Sequence, residues 1–272
     1  FLTTHLIIAK PEKWFASLLK STYDTTLGIK AFKSTYKIIT ITDAEKIWCI
    51  ERGVTPQKII SIPNGVDDKA FDDYNATEMK KKYGLNKYII FIGRMYEEKG
   101  PTHLVMAFSK IAENFKDVSL VFVGPDQGEI ERVMALSRDL KLHKRVICTG
   151  KIPEKDKREL LSGCEFFALP SKNEAQGIVF IEAWAQKKAV IGTNVGGVPY
   201  VIEDGETGLL YDYGDINALT KHIEFLLENP DKAEAMGKKG FEIASKEYRW
   251  DDIVDKIENL YNDSVDEFGT KS

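Results

Sequence analysis

Between residues 87 and 194 the chain repeats one pattern, an apolar β-rich run that stops at glycine, proline or asparagine and is followed by a helical stretch. The runs are "KYIIFIG" (87–93), "VSLVFVG" (118–124), "RVICTG" (145–150), "CEFFALP" (164–170) and "KAVIGTN" (188–194). The intervening stretches, near 99–115, 128–141 and 154–162 and in the segment holding Glu182, carry helical signals, with Leu104, Ala107, Phe108 and Ile111 falling on one face of the first. Continuous apolar strands alternating with amphipathic helices indicate a parallel sheet covered on both faces. The pattern therefore predicts a doubly wound, Rossmann-like α/β domain over residues 65–248.

Residues 1–64 read differently. "LTTHLII" (2–8), "KIITIT" (37–42) and "KIISI" (58–62) read as strands, and "AEKIWCIERG" (44–53) as a helix ended by Gly53. Three strands fall short of a doubly wound sheet, so this part is expected to be the remaining portion of a second Rossmann-like domain. "PNGVD" (63–67) is a turn-rich joint between the two. Residues 249–272 hold an amphipathic helix over 249–264, with Trp250, Ile253, Ile257, Leu260 and Tyr261 on one stripe, and then a loose tail. This helix is expected to cross back toward the first domain.

Composition excludes several function classes. The formal net charge is −4, which disfavours nucleic acid as a partner. No apolar run reaches the roughly 18 residues of a membrane span, and no signal peptide is read. Cys49, Cys148 and Cys164 show neither metal nor disulfide spacing, which fits reduced thiols in a cytoplasmic protein. His5, His103, His143 and His222 are scattered, no Asp-x-Asp pattern occurs, and no metal site is expected. Neither a phosphate-loop motif nor Gly-x-Gly-x-x-Gly follows any strand, which counts against an NAD-dependent enzyme.

In sheets of this kind ligands bind beyond the carboxyl ends of the strands. The loops at that edge begin at Gly93-Arg94, Gly124-Pro125, Gly150-Lys151, Pro170 and Asn194. Glycines there would let backbone approach a ligand closely. In "NEAQGIVFIEAWAQ" (173–186) a helix starting near Gly177 would leave free N–H groups at the loop, an anion site suited to phosphate. Glu182 interrupts the apolar helix one turn further on. It could accept two ribose hydroxyls beside a diphosphate, or it could snorkel to solvent. Glu174 could meet the other end of the ligand, or could serve only as an acid near a helix start. Arg94 and Lys99, which is expected to open the next helix, could reach a diphosphate; alternatively they are surface cations among Glu97 and Glu98. His5 could face the ligand across a cleft or be a lone strand-end histidine.

Four segments together resemble the retaining GT-B glycosyltransferases of family 4, the group 1, glycogen-synthase-like enzymes. "IPNGVD" resembles their interdomain joint and "GRMYEEKG" their diphosphate segment. "PSKNEAQGIVFIEA" resembles their Glu-x7-Glu segment, and "GTNVGGVPYVIEDGETGLL" the run that follows. The resemblance spans about residues 3–261. It implies a GT-B C-terminal domain binding a nucleotide-diphosphate sugar, with UDP or GDP the favoured carriers, no further cofactor and no metal. It implies Arg94 and Lys99 on the diphosphate, Glu174 on the donor sugar, Glu182 on the ribose and His5 beside the sugar. Backbone at Gln176, Gly177, Ile178 and Val179 would support the sugar and phosphates, Gly93 would sit beside them, and Gly124, Gly150, Lys151 and Ile152 would frame the base.

The implied activity is hexosyl transfer to a saccharide or lipid-linked acceptor with retained anomeric configuration. The alternative is a nucleotide-sugar-binding fragment or subunit without turnover on its own. Gln176 stands where the family usually has Phe or Tyr. Lys187 and Ala189 replace an expected Gly and Pro, and Tyr200 replaces an expected Glu. The first part of the N-terminal domain, with a glycine-rich loop near the acceptor, is expected to be missing, and trimming of the chain is the favoured explanation. Residues 10–37, with Lys10, Lys13, Lys20, Lys30, Lys33, Lys37, Trp14 and Phe15, could make peripheral membrane contact. An ordinary amphipathic surface helix is the weightier reading of that stretch.

Overall fold

The structure is a computed structural model describing residues 2–3 and 28–269, with side chains to residue 265. His5 and most of the stretch 10–37 lie outside the described residues. Two parallel sheets organise the chain. The smaller contains β1 (Leu2–Thr3), β2 (Ile38–Thr40) and β3 (Ile59–Ser61) in that order. The larger contains six strands: β4 (Lys87–Ile92), β5 (Val118–Val123), β6 (Val146–Gly150), β7 (Phe166–Leu169), β8 (Val190–Thr193) and β9 (Gly208–Tyr211). Its order is β6-β5-β4-β7-β8-β9, with every pairing parallel.

That order fixes where a ligand can enter. From β4 the chain winds outward to β5 and β6, then returns to β7 on the other side of β4. The crossovers on either side of the β4–β7 junction run in opposite directions, which leaves a crevice beyond their carboxyl ends. Strand sequences rich in Ile, Val and Phe suit a sheet buried on both faces. Tyr88, Ile89, Ile90 and Phe91 of β4 and Phe166, Phe167 and Ala168 of β7 are all fully buried. The Tyr88 hydroxyl, carried into this core, donates to Leu160 O at 2.6 Å, because an unpaired buried hydroxyl would cost free energy.

Helices cover the faces: α1 (Ile29–Ser34), α2 (Asp43–Glu51), α3 (Thr77–Tyr83), α4 (Pro101–Ser109), α5 (Ile130–Asp139), α6 (Glu154–Gly163), α7 (Ile178–Ala185), α8 (Ile216–Glu228), α9 (Pro230–Glu247) and α10 (Trp250–Gly269). α7 is apolar nearly all round and lies in the core. Trp184 there is fully buried, donates to Thr207 O at 3.0 Å and packs on Gly240 of α9, where a Cβ would overlap the indole.

α4 corrects one expectation. Lys99 does not open it. Glu97–Lys99 form a 3-10 turn, Gly100 follows with φ of 66°, and the helix starts at Pro101 and ends at Ser109. A proline at the first helical position fixes that start. β9 has no counterpart among the expected strands.

α10 packs on the smaller sheet. Ile253 is buried with Ile39 and Ile62, and Ile257 and Leu260 lie against them. The buried stripe is narrower than expected, because Trp250 and Tyr261 are exposed. The other face of that sheet packs Ile38 and Ile59 on Ile29, Trp48, Cys49 and Val54. Among the described residues no helix is long and apolar enough to cross a membrane.

Candidate functional site

A cavity of about 340 Å³ opens at the crevice beyond β4 and β7. It is lined by Gly93, Arg94 and Lys99 from one side and by Glu174 to Val179 from the other, with Ile41 and Asn64 from the smaller sheet's side. Gly177, with φ of 77°, is the N-cap residue of α7 and brings no capping side chain. The first N–H groups of a helix have no intrahelical acceptor, and the helix dipole adds partial positive charge there. Gly177, Ile178 and Val179 thus present donors to the same cavity that receives Arg94 and Lys99.

Local stitching places these side chains. Lys172 N donates to Glu98 O at 2.6 Å, and a Cβ at Gly100 would overlap Pro170 O. The 97–100 turn is therefore held against the 170–172 loop, which sets the Lys99 ammonium on the Glu174 carboxylate as an ion pair. Both side chains are mostly buried. Gly197 N donates to Glu174 O at 3.0 Å, and a Cβ at Gly196 or Gly197 would overlap the carbonyl of Glu174 or Ala175. The glycines of the 194–197 loop thus hold up the loop that carries Glu174. Arg94 is exposed, with its guanidinium 5.0 Å from the Tyr96 ring centre, and pairs with no carboxylate among the described residues.

A second cavity of about 230 Å³ shares Ile92, Gly93 and Arg94 with the first and continues past Gly124, Lys151, Ile152, Glu154 and Lys157. Gly150 ends the adjoining strand with φ of 68°. Gly124 lines this cavity, and a Cβ there would overlap Gly93 O. That glycine serves the close approach of two strand ends.

Glu182 is half-buried on α7, and a cation that the residue patterns did not single out is paired with it. Lys157 of α6 donates to both its oxygens, at 3.1 and 3.0 Å, with side-chain exposures of 15% and 22%. Lys157 also pairs with Glu154. Burial pulls the Lys157 ammonium down, but Glu182 and then Glu154 more than reverse this, so it lies above the usual lysine value. Lys157 links the acid on α7 to the second cavity. Residue patterns missed it, although it sits one turn inside a helix that begins at the ligand edge, as Glu182 does.

Gln176 lines the first cavity, but its side chain is committed elsewhere. Its Nε2 donates to Asn64 O at 2.9 Å and its Oε1 accepts from Asn64 N at 2.8 Å. Among the described residues no cluster of three or more His, Cys, Asp or Glu side chains could hold a metal ion.

Comparison with known proteins fits this geometry to a family. The model of the glycosyl transferases group 1 family matches residues 75–243, which include every side chain of the two cavities except Ile41 and Asn64. The chain belongs to this family. It is 32% identical over 214 residues to N-acetyl-alpha-D-glucosaminyl L-malate synthase of Bacillus anthracis, covering 77% of this chain and 55% of that one. It is also 32% identical over 225 residues to alpha-maltose-1-phosphate synthase of Mycolicibacterium smegmatis, covering 76% and 57%. This chain thus spans about half the length of the curated relatives it matches. Among solved structures, Anabaena HepE in complex with UDP-glucose superposes with a TM-score of 0.82 at 21% identity, over 96% of this chain and 72% of that one. Sucrose-phosphate synthase from Thermosynechococcus elongatus gives 0.82 at 25% identity, over 98% and 68%. The fold of this group 1 glycosyltransferase chain is that of GT-B proteins, including the smaller sheet.

Proposed function

We propose that this chain carries the donor site of a retaining, metal-independent hexosyltransferase that uses a nucleotide-diphosphate sugar. The observation that supports it most is the joining of two cavities at Gly93-Arg94. One is lined by cations, helix N–H groups and Glu174; the other leads to the Lys157–Glu182 pair. In this reading the diphosphate lies on the α7 amides between Arg94 and Lys99, and the sugar meets Glu174. The nucleoside occupies the second cavity, framed by Gly124, Gly150, Lys151 and Ile152, with its ribose on Glu182. Lys157 shares or yields Glu182 to the ribose hydroxyls, just as Lys99 shares Glu174 with the donor.

The transfer breaks the bond between the anomeric carbon and the β-phosphate oxygen. The acceptor oxygen forms its bond to that carbon on the same face, and the acceptor proton passes to the leaving phosphate. Negative charge grows on the diphosphate as the bond breaks. Donors already fixed in place stabilise it without reorganisation. The domain boundaries at 64/65 and 248/249, a role for His5, and a saccharide or lipid-linked acceptor belong to the same proposal. M. smegmatis GDP-mannose-dependent alpha-(1-6)-phosphatidylinositol monomannoside mannosyltransferase, 29% identical to this chain, is a relative whose name includes a lipid acceptor.

Calorimetry with UDP, GDP and ADP and their sugars tests the proposal. We expect saturable binding of at least one of them, weakened by Glu182→Ala even without the sugar. Unaltered affinity in that variant removes the ribose assignment. Product analysis with donor and acceptor then separates transfer from binding alone.

A further inference from the structure

The joint between the two sheets is fixed at successive residues by different partners. Val66 N donates to Tyr248 O at 2.7 Å and Trp250 N donates to Val66 O at 3.2 Å. A Cβ on Gly65 would come to 3.0 Å from the Trp250 backbone. These contacts tie the joint to the start of α10. Asn64 is tied differently, since both its backbone groups bond to the side-chain amide of Gln176, which is 2% exposed. An amide side chain can satisfy a backbone N–H and C=O together, which no acid or hydroxyl does as well at neutral pH. Gln176 is next to Gly177, where α7 begins, and two residues from Glu174. Asn64, Gln176 and Ile41 line the same cavity.

We propose that Gln176 is a positioning residue, stapling the inter-sheet joint to the phosphate end of α7 and so fixing how the smaller sheet stands over the donor cavity. The proposal rests on the donor-site reading above. The staple is short, buried and complete in both hydrogen-bonding directions. Its loss leaves the half-buried Asn64 N–H and C=O without their partners, a penalty relieved as the joint moves toward water. The joint is then held only from the α10 side, through Gly65 and Val66, and Ile41 and Asn64 lose their fixed place in the cavity wall.

The test uses spin labels at Glu51→Cys on α2 and Lys155→Cys on α6, both exposed positions, with distances read in the otherwise unaltered chain and in Gln176→Leu and Gln176→Glu. The chain with Gln176 gives one narrow distribution. Gln176→Leu broadens it. Gln176→Glu broadens it at neutral pH, where one carboxylate oxygen faces the Asn64 carbonyl. Acidification through the carboxyl pKa narrows it again, because the protonated acid can donate. A general packing defect has no reason to repair itself on protonation. In transfer assays with donor and acceptor, Gln176→Leu loses about tenfold or more, in kcat rather than in donor KM, since misplacement by about an ångström has that effect. Distributions that stay narrow in both variants, or a Gln176→Glu distribution indifferent to pH, overturn the staple. Failure of nucleotide binding with the distances behaving as described overturns the donor-site reading alone.

Discussion

Replacing Lys157 by Met tests whether the acid at the heart of the nucleoside cavity is held by protein charge before any ligand arrives. The ammonium lies 3.0 Å from Glu182. At an effective dielectric of about 20, attraction at that distance is about 5 kcal/mol before desolvation is subtracted. Desolvation removes most of that gross figure, so the pair as a whole adds little net stability. Deleting one partner is another matter. An unpaired carboxylate in a fully buried site costs about 3–5 kcal/mol. Glu182 keeps 22% of its side-chain surface, so water recovers part of that loss. We expect a net cost of about 2 kcal/mol, or about 4–8 °C in Tm for a chain of this size.

Thermal and urea melts of Lys157→Met, Glu182→Leu and the double variant measure it. The double variant should recover part of the loss, with a coupling of about 1–2 kcal/mol. Lys155→Met is the control. Lys155 is 77% exposed and, among the described residues, pairs only along its own helix, so its loss should stay within about 0.5 kcal/mol. A Lys157→Met protein that melts with the unaltered chain, or single effects that simply add, would refute the pairing.

In a transferring enzyme, Arg94→Ala should lower the rate by about 2–4 kcal/mol of barrier, about a hundredfold or more, as loss of one fixed donor to a developing anion does; single-turnover transfer measures it. The three thiols should resist thiol reagents at neutral pH in the folded chain and all react in denaturant. Burial, with Glu45, pushes Cys49 up to about 11; burial, with Asp126, pushes Cys148 up to about 12; and burial pushes Cys164 up to about 12. His103 is held below its ordinary value of 6.5 by burial, with its ring 5.1 Å from that of Tyr213. The unfolded chain therefore binds a proton that the folded chain refuses, and stability falls as pH drops below 6.5. Melts of His103→Leu across that window should show a shallower fall.

The larger sheet was legible because its strands are buried on both faces and so read as unbroken apolar runs. β9 was not, since "GLLY" is short and follows the turn-rich "EDGETG". The strand order, which creates the crevice at β4 and β7, depends on long-range packing that no local pattern encodes. Lys99 and Glu174 were recognisable one at a time. Their pairing depends on the Glu98–Lys172 and Glu174–Gly197 backbone bonds, which join loops distant in sequence. The helical pattern near 99–115 hid the break at Gly100, because that one residue both ends the turn and caps the helix that Pro101 starts. The apolar context of Glu182 did indicate that a partner was needed. It could not indicate that Lys157 would supply it, from the preceding helix on the other side of β7 along the chain.

The ribose assignment is the point at which structure and proposed chemistry meet most closely. Calorimetry of UDP and GDP against their 2′- and 3′-deoxy analogues, on the unaltered chain and on Glu182→Ala, tests it directly. A hydrogen bond to a charged acceptor contributes about 1.5–3 kcal/mol, so each missing hydroxyl should weaken binding to the unaltered chain by about tenfold or more. Glu182→Ala should bind normal and deoxy nucleotides alike. A deoxy penalty that persists in Glu182→Ala, or that is absent from the unaltered chain, would contradict the assignment.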